Sequence, residues 1–131
     1  MSRSEGIILY VHGARDSRWA EPFVRLRERV AAKAPQRIVE VAFLDHMSPD
    51  LVTAVRQLSA QGVARIRIVP MFFGRGGHLR EDFPRQLDAA RAAAPGVTFE
   101  VTGAAGESDA VLEVLATFAL DAPTTSRNDA K

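Results

Sequence analysis

Cysteine is absent from the 131 residues. That excludes a disulfide framework, a thiolate metal site, an iron–sulfur cluster and a cysteine nucleophile, so a transition metal held by side chains would have to use imidazole and carboxylate. An excess of positive charge is also missing, since 17 Lys and Arg against 16 Asp and Glu leave a formal net charge of +1. A general binder of nucleic-acid backbones is therefore disfavoured. Long hydrophobic runs are missing as well. The longest early one, Ile7 to Val11, is too short for a signal-peptide core or a membrane span, so a cytoplasmic protein with no membrane partner is expected. Several catalytic signatures are absent too. There is no G-x-x-x-x-G-K-[ST], G-x-S-x-G or H-E-x-x-H, and Gly74-Arg75-Gly76-Gly77-His78-Leu79 has leucine where the dinucleotide fingerprint needs its third glycine. No repeats or low-complexity segments occur.

What is present is enough apolar residue for one core, 47% of the chain, which excludes disorder of the whole and predicts one domain over residues 1–120 with a disordered tail over 121–131. Four segments read as strands: Ile7 to Val11, Ile38 to Leu44, Ile66 to Phe73, and Val97 to Val101. Each is followed by a helical pattern. Trp19, Phe23, Leu26 and Val30 lay an apolar stripe along the first helix, which Pro35 ends. Ser48-Pro49-Asp50 opens the second, with Ser48 as cap and Pro49 in the first position; Leu51, Val55 and Leu58 are its buried stripe and Gly62 closes it. The third buries Phe83, Leu87, Ala90 and Ala94, and the fourth Val111, Val114, Leu115 and Phe118. Strict alternation of strand and helix demands right-handed crossovers and a parallel sheet with helices on both faces. The first and third strands read as continuously apolar and the second and fourth alternate, which predicts the order 2-1-3-4 of a flavodoxin-like three-layer α/β sandwich.

In open sheets of this kind ligands bind beyond the carboxyl ends of the strands, at the switch between the first and third. His12 follows the first strand, Asp45 and His46 the second, and His78 the third by way of Gly74-Arg75-Gly76-Gly77. All three histidines of the chain thus fall on one edge, which argues for a site more than any one of them does. His46, with no glycine beside it, is the weaker candidate. Arg15, Arg18, Arg75 and Arg80 flank the histidine loops, and as a set they suggest an anionic ligand, because guanidinium forks match carboxylates and phosphates.

The phrase Ile8-Leu9-Tyr10-Val11-His12-Gly13-Ala14-Arg15-Asp16 resembles the first-strand motif, histidine-glycine-small-arginine-aspartate, of the small CbiX-type sirohydrochlorin chelatases. The stretch from Val69 through Gly76-Gly77-His78-Leu79-Arg80-Glu81-Asp82 to Pro84 is similar to that family's third-strand signature, and Phe43-Leu44-Asp45 with Pro49 and Leu51 resembles its middle element. The resemblance runs from residue 7 to near residue 120. It implies a class II chelatase fold and insertion of a divalent metal into sirohydrochlorin on the routes to cobalamin and siroheme. Cobalt is favoured, nickel and iron are open, and no organic cofactor is implied. Larger relatives carry two such units, so a homodimer is expected here. Carried over by position, His12 and His78 are expected to bind the metal and assist loss of the pyrrole protons. Asp45 stands at the acidic position of the constellation, with the shorter aspartate where glutamate is expected. Arg15, Arg75 and Arg80, with the close backbone approach that Gly76 and Gly77 permit, are the expected substrate-binding positions. Imidazole suits the task, as a ligand for ions of intermediate softness and a proton acceptor near neutral pH.

Two other readings use the same edge. One is a metal or tetrapyrrole carrier without turnover. The other is a phosphate- or flavin-binding module built on the glycine-rich turn, which leaves the histidines unexplained.

Overall fold

The computed structural model describes residues 4–74 and 76–125, and of residues 77–80 the backbone alone. β1 (Glu5–Val11), β2 (Arg37–Phe43), β3 (Arg65–Pro70) and β4 (Thr98–Val101) form a parallel sheet in the order β2-β1-β3-β4. They alternate with α1 (Glu21–Lys33), α2 (Leu51–Ala60), α3 (Gly77–Ala93) and α4 (Asp109–Asp121). The order expected from strand composition is the order found.

β1 explains why. Beyond Glu5 it carries no charge, and Leu9 lies in register with Val41 on one side and Val69 on the other. Its alternate side chains feed two cores, as the two-residue period of a strand requires. Ile8 and Tyr10 pack with Ile66, Ile68, Leu51 and Leu58 beneath α2 and α3, while Ile7, Leu9 and Val11 pack with Val39, Val41 and Phe43 beneath α1. The α1 stripe Phe23, Leu26 and Val30 meets the second core as expected. Trp19 does not belong to α1. Ser17–Ala20 make a separate 3₁₀ turn, and Pro22 in the first turn of α1 fixes where the regular helix begins.

α2 buries Leu51, Val55 and Leu58, but neither Ser48 nor Pro49 opens it. Asp50 is the cap, its carboxylate accepting the Thr53 N–H at 2.8 Å. Of the candidate acceptors in this segment, Asp50 stands three residues before an amide that a cap side chain can reach. Gly62 follows the helix at φ 91°. In α3, Ala90 is buried, as is Ala94 just past the end of the helix, while Phe83 and Leu87 pack half-buried against the same core.

The third strand is shorter and less uniform than the sequence suggests. It stops at Pro70, and it exposes Arg65 and Arg67 while burying Ile66 and Ile68. Arg67 is ion-paired with Glu100 on the neighbouring strand. On the α1 side, therefore, β1 and β2 are covered by a helix, whereas over β3 and β4 the described residues place none. α4 departs most from expectation. Val114 and Phe118, expected to be buried, are 70% and 66% exposed, and among the described residues the principal contact of α4 is with the 3₁₀ turn Ala105–Glu107 that precedes it. Asp121 closes this helix, so the tail expected from residue 121 begins no earlier than 122; residues 126–131 lie outside the described residues. No described helix is long and apolar enough to cross a membrane.

Candidate functional site

Parallel strands bring the ends of β1, β2 and β3 to one edge of the sheet. There, the β1 loop and the β2 loop are locked together. The Gly13 N–H donates to Asp45 Oδ1 at 2.9 Å, and Leu44 N–H donates to Val11 O at 2.7 Å. A Cβ on Gly13 would lie 1.8 Å from the Asp45 carbonyl oxygen, so only glycine permits this approach. The β2 loop is itself a tight γ-turn: Met47 N–H donates to Asp45 O at 2.7 Å with His46 between them at φ 62°. A positive φ is uncommon outside glycine, and such turns recur where a loop is held for function.

His12 is exposed, and its backbone is held from both directions. Its carbonyl accepts the indole N–H of Trp19 at 2.7 Å, and the next amide is the one bound by Asp45. Its ring lies 4.7 Å, centroid to centroid, from that of Phe72. Phe72 is buried, with Tyr10 and Phe83 as further ring neighbours. Behind them the Tyr10 hydroxyl donates to Gln86 Oε1, and Gln86 Nε2 donates to Leu44 O at 3.1 Å, tying β1, α3 and the end of β2. Burial, then the charges of Asp45, Asp82 and Asp50, push the Tyr10 hydroxyl far above its ordinary pKa.

Asp45 keeps its second oxygen turned toward His46, whose Nε2 is 4.0 Å from Oδ2. A groove of about 610 Å³ lies beside this pair, lined by Asp45, His46, Met47, Pro49 and Asp50 among others. Arg15 is exposed on the β1 loop. Arg18 is turned back onto Asp16, Nε to Oδ1 at 3.0 Å and Nη2 to Oδ2 at 2.6 Å, and those bonds hold the Asp16 carboxyl below its ordinary range. His78 falls in the first turn of α3, with Gly76 as cap and Gly77 the first helical residue, at the same edge as His12. The side chains of His78 and Arg80, and Arg75 altogether, lie outside the described residues. Among the described residues no three side chains of histidine, aspartate or glutamate converge on one point. A second cavity, about 450 Å³, sits at the opposite end between Glu5, Arg37, Arg65, Arg67 and Glu100. Its arginines face glutamates, with Arg37 Nε 3.0 Å from Glu5 Oε1.

Trp19 and Gln86 are the positions that sequence reasoning did not single out. Trp19 reads as one more residue of a helical stripe, and its spacing alone does not reveal that the chain turns before α1 begins. Gln86 has no motif around it. Exposed Phe73, beside the buried Phe72, extends this edge, and the Gly106 N–H donates to Phe72 O at 2.8 Å beneath it.

Residues 6–122 match the model of the CbiX protein family. The chain is similar, at 26% identity over 110 residues, to a sirohydrochlorin cobaltochelatase of Sulfurisphaera tokodaii, in an alignment covering 84% of this chain and 87% of that protein. Among solved structures it is similar to a cobalamin (vitamin B12) biosynthesis CbiX protein from Marinobacter aquaeolei VT8, with a TM-score of 0.77 at 29% identity, covering 88% of this chain and 94% of that one. It also shares the fold of the sirohydrochlorin chelatase SirB from Bacillus subtilis subspecies spizizenii, solved in complex with cobalt, with a TM-score of 0.76 at 20% identity. That match covers 93% of this chain and 51% of the longer one.

Proposed function

The chain belongs to the CbiX family, and from that premise we propose that it is a sirohydrochlorin chelatase that inserts a divalent metal, cobalt by preference, into the macrocycle. The metal ion is a substrate of this reaction. Insertion replaces two N–H bonds at the ring centre by bonds to the ion, so two protons leave, and the protein must present the ion and receive those protons. The observation that carries the reading is the placement of His12, an exposed imidazole on a backbone held by Trp19 and Asp45, at the edge where α3 places His78.

In this reading His12 and His78 bind the ion and take the pyrrole protons; a neutral imidazole serves either task, and metal binding keeps it deprotonated. Asp45 acts on His12 through Gly13 and is a positioning residue. Arg15, Arg75 and Arg80 take the carboxylates of the macrocycle, with Gly76 and Gly77 allowing backbone approach. The protein works in the cytoplasm and as a homodimer; its likeness to half of a longer chain of the same fold supports pairing of two units.

The test is absorption spectroscopy of anaerobic sirohydrochlorin with Co²⁺, Ni²⁺ and Fe²⁺ separately, against protein-free controls. Conversion of excess ring, fastest with Co²⁺, is expected. A stoichiometric change that stops at one ring per site would instead identify a carrier, and acceleration with Ni²⁺ or Fe²⁺ alone would overturn the cobalt assignment.

A further inference from the structure

The polar residues of α4 are Asp109, Glu113, Thr117 and Asp121, one at every fourth position. At 3.6 residues per turn such a set traces a single narrow stripe that drifts slowly round the helix. All else in α4 is apolar, and Leu112, Val114, Leu115, Phe118 and Leu120 are all exposed. A helix apolar over most of its circumference requires burial on more than one side.

Among the described residues, one sheet surface of the same molecule carries no helix. On the α1 side of β3 and β4, an apolar groove of about 370 Å³ is lined by Val69, Met71, Ala104, Ala105 and Val111. α4 starts beside this groove, with Val111 in its lining, but from Leu112 onward its large apolar residues stay exposed instead of filling it. The turn that launches it is pinned, because Gly106 donates to Phe72 O at 2.8 Å and a Cβ on Gly106 would lie 2.4 Å from Phe73 Cα. Glu107 Oε1 accepts the Ala104 N–H, and Ser108 Oγ then caps α4 through Val111 N–H. The chain's own groove is thus left to another helix.

We propose that α4 of one copy seats in the β3–β4 groove of a second copy, and reciprocally, so that two chains exchange their last helices; the inference rests on the homodimer proposed above and names its surface. The sizes agree. A 13-residue helix is about 20 Å long and about 10 Å across, so two-thirds of its side is about 400 Å². With about half of that side on the sheet, helix and groove together contribute about 600 Å² per chain, about 1,200 Å² in all, the lower end of a stable interface. One apolar side of α4 meets the sheet and the rest meets the partner's α4, leaving the acidic stripe in water.

Because the chain has no cysteine, a double variant Thr102→Cys/Leu115→Cys reports where α4 lies, with Thr102→Cys/Phe118→Cys sampling the next turn. Light scattering on the unmodified protein is expected to give a dimer, and a short bismaleimide is expected to join the variant chains into covalent dimers on a denaturing gel. A dimer in solution whose variants close only within one chain, or do not close, overturns the exchange and leaves the homodimer standing. A monomer in solution overturns both. Leu115→Glu/Phe118→Glu gives an independent check: it is expected to be monomeric with an unchanged far-ultraviolet spectrum, since α4 is outside both cores, and persistence of the dimer overturns the proposal.

Discussion

Asp45 Oδ1 lies 2.9 Å from the Gly13 amide nitrogen, a hydrogen bond that closes the β2 loop onto the β1 loop and fixes the backbone next to His12. The bond needs an acceptor at this position and does not need a charge. Asp45→Asn, which keeps the acceptor, is expected to retain most activity, whereas Asp45→Ala is expected to lose about 10- to 100-fold, the usual effect of removing an orienting partner behind a ligand. Equal losses in the two variants would instead assign Asp45 a direct part in the chemistry. Gly13→Ala has no room at all, with the Asp45 carbonyl 1.8 Å from the new carbon, and is expected to cost about 2 kcal/mol or more in denaturant unfolding.

Trp19 is the chain's single tryptophan, and its indole donates to the His12 carbonyl at 2.7 Å. Its emission is therefore a natural reporter of the site. Addition of Co²⁺ is expected to quench it with saturation, and His12→Ala should abolish the saturable part while leaving the unliganded spectrum in place. Trp19→Phe removes the donor and is expected to cost about 1 kcal/mol of stability, read from the shift of the urea midpoint.

The single tyrosine gives a second spectroscopic test. Burial, with the charges of Asp45, Asp82 and Asp50, raises the pKa of Tyr10 above its ordinary value of about 10. With the folded value above the unfolded one, the contribution to stability is complete below pH about 10 and is lost as pH rises beyond it. Ultraviolet titration of the native protein is expected to show no tyrosinate at pH about 10, and its appearance should coincide with unfolding. A reversible ionisation near that pH in folded protein would mean that the Tyr10–Gln86 bond does not isolate the hydroxyl. Tyr10→Phe, which removes that bond, is expected to cost about 1 kcal/mol.

Asp50 shows where sequence reading stops. The strand order was legible because β1 is apolar on both faces and β2 alternates, a pattern set by burial alone. The start of α2 was not, because Ser48, Pro49 and Asp50 each carry a start signal and only three-dimensional reach to the Thr53 amide decides among them. α4 differs for a related reason: an apolar stripe at 111, 114, 115 and 118 signals a helix but does not say whether the rest of this chain covers it, and in the structure Val114, Leu115 and Phe118 are exposed. That His12, His46 and His78 share one edge is legible from their positions after strands, while Trp19 and Gln86 act through single hydrogen bonds that leave no pattern. Bonds to Thr53, first through its backbone N–H, hold the Asp50 carboxyl below the ordinary carboxylate range. Its contribution to stability is therefore present above the unfolded value of about 4 and lost as pH falls through the folded one. Asp50→Ala is expected to cost about 1 kcal/mol at neutral pH, with the gap to the parent protein closing in acid.

The two histidines should separate by the kinetic parameter each one moves. His12 stands on the more constrained backbone, with Trp19 holding its carbonyl and Asp45 the amide that follows, and a fixed imidazole suits a ligand better than a group that must swing to meet a proton. His12→Ala is expected to raise the KM for Co²⁺, with kcat/KM falling by about 10²- to 10⁴-fold. A lower kcat at unchanged KM for the metal would make it the proton acceptor. His78 stands in the first turn of α3 behind Gly76 and Gly77, and His78→Ala is expected to lower kcat by a similar factor at near-constant metal KM. Because His12 is exposed and meets the core only through its ring contact with Phe72, His12→Ala should unfold within about 1 kcal/mol of the parent, so a lost rate reports chemistry. Near-normal insertion by both variants would sink the histidine mechanism.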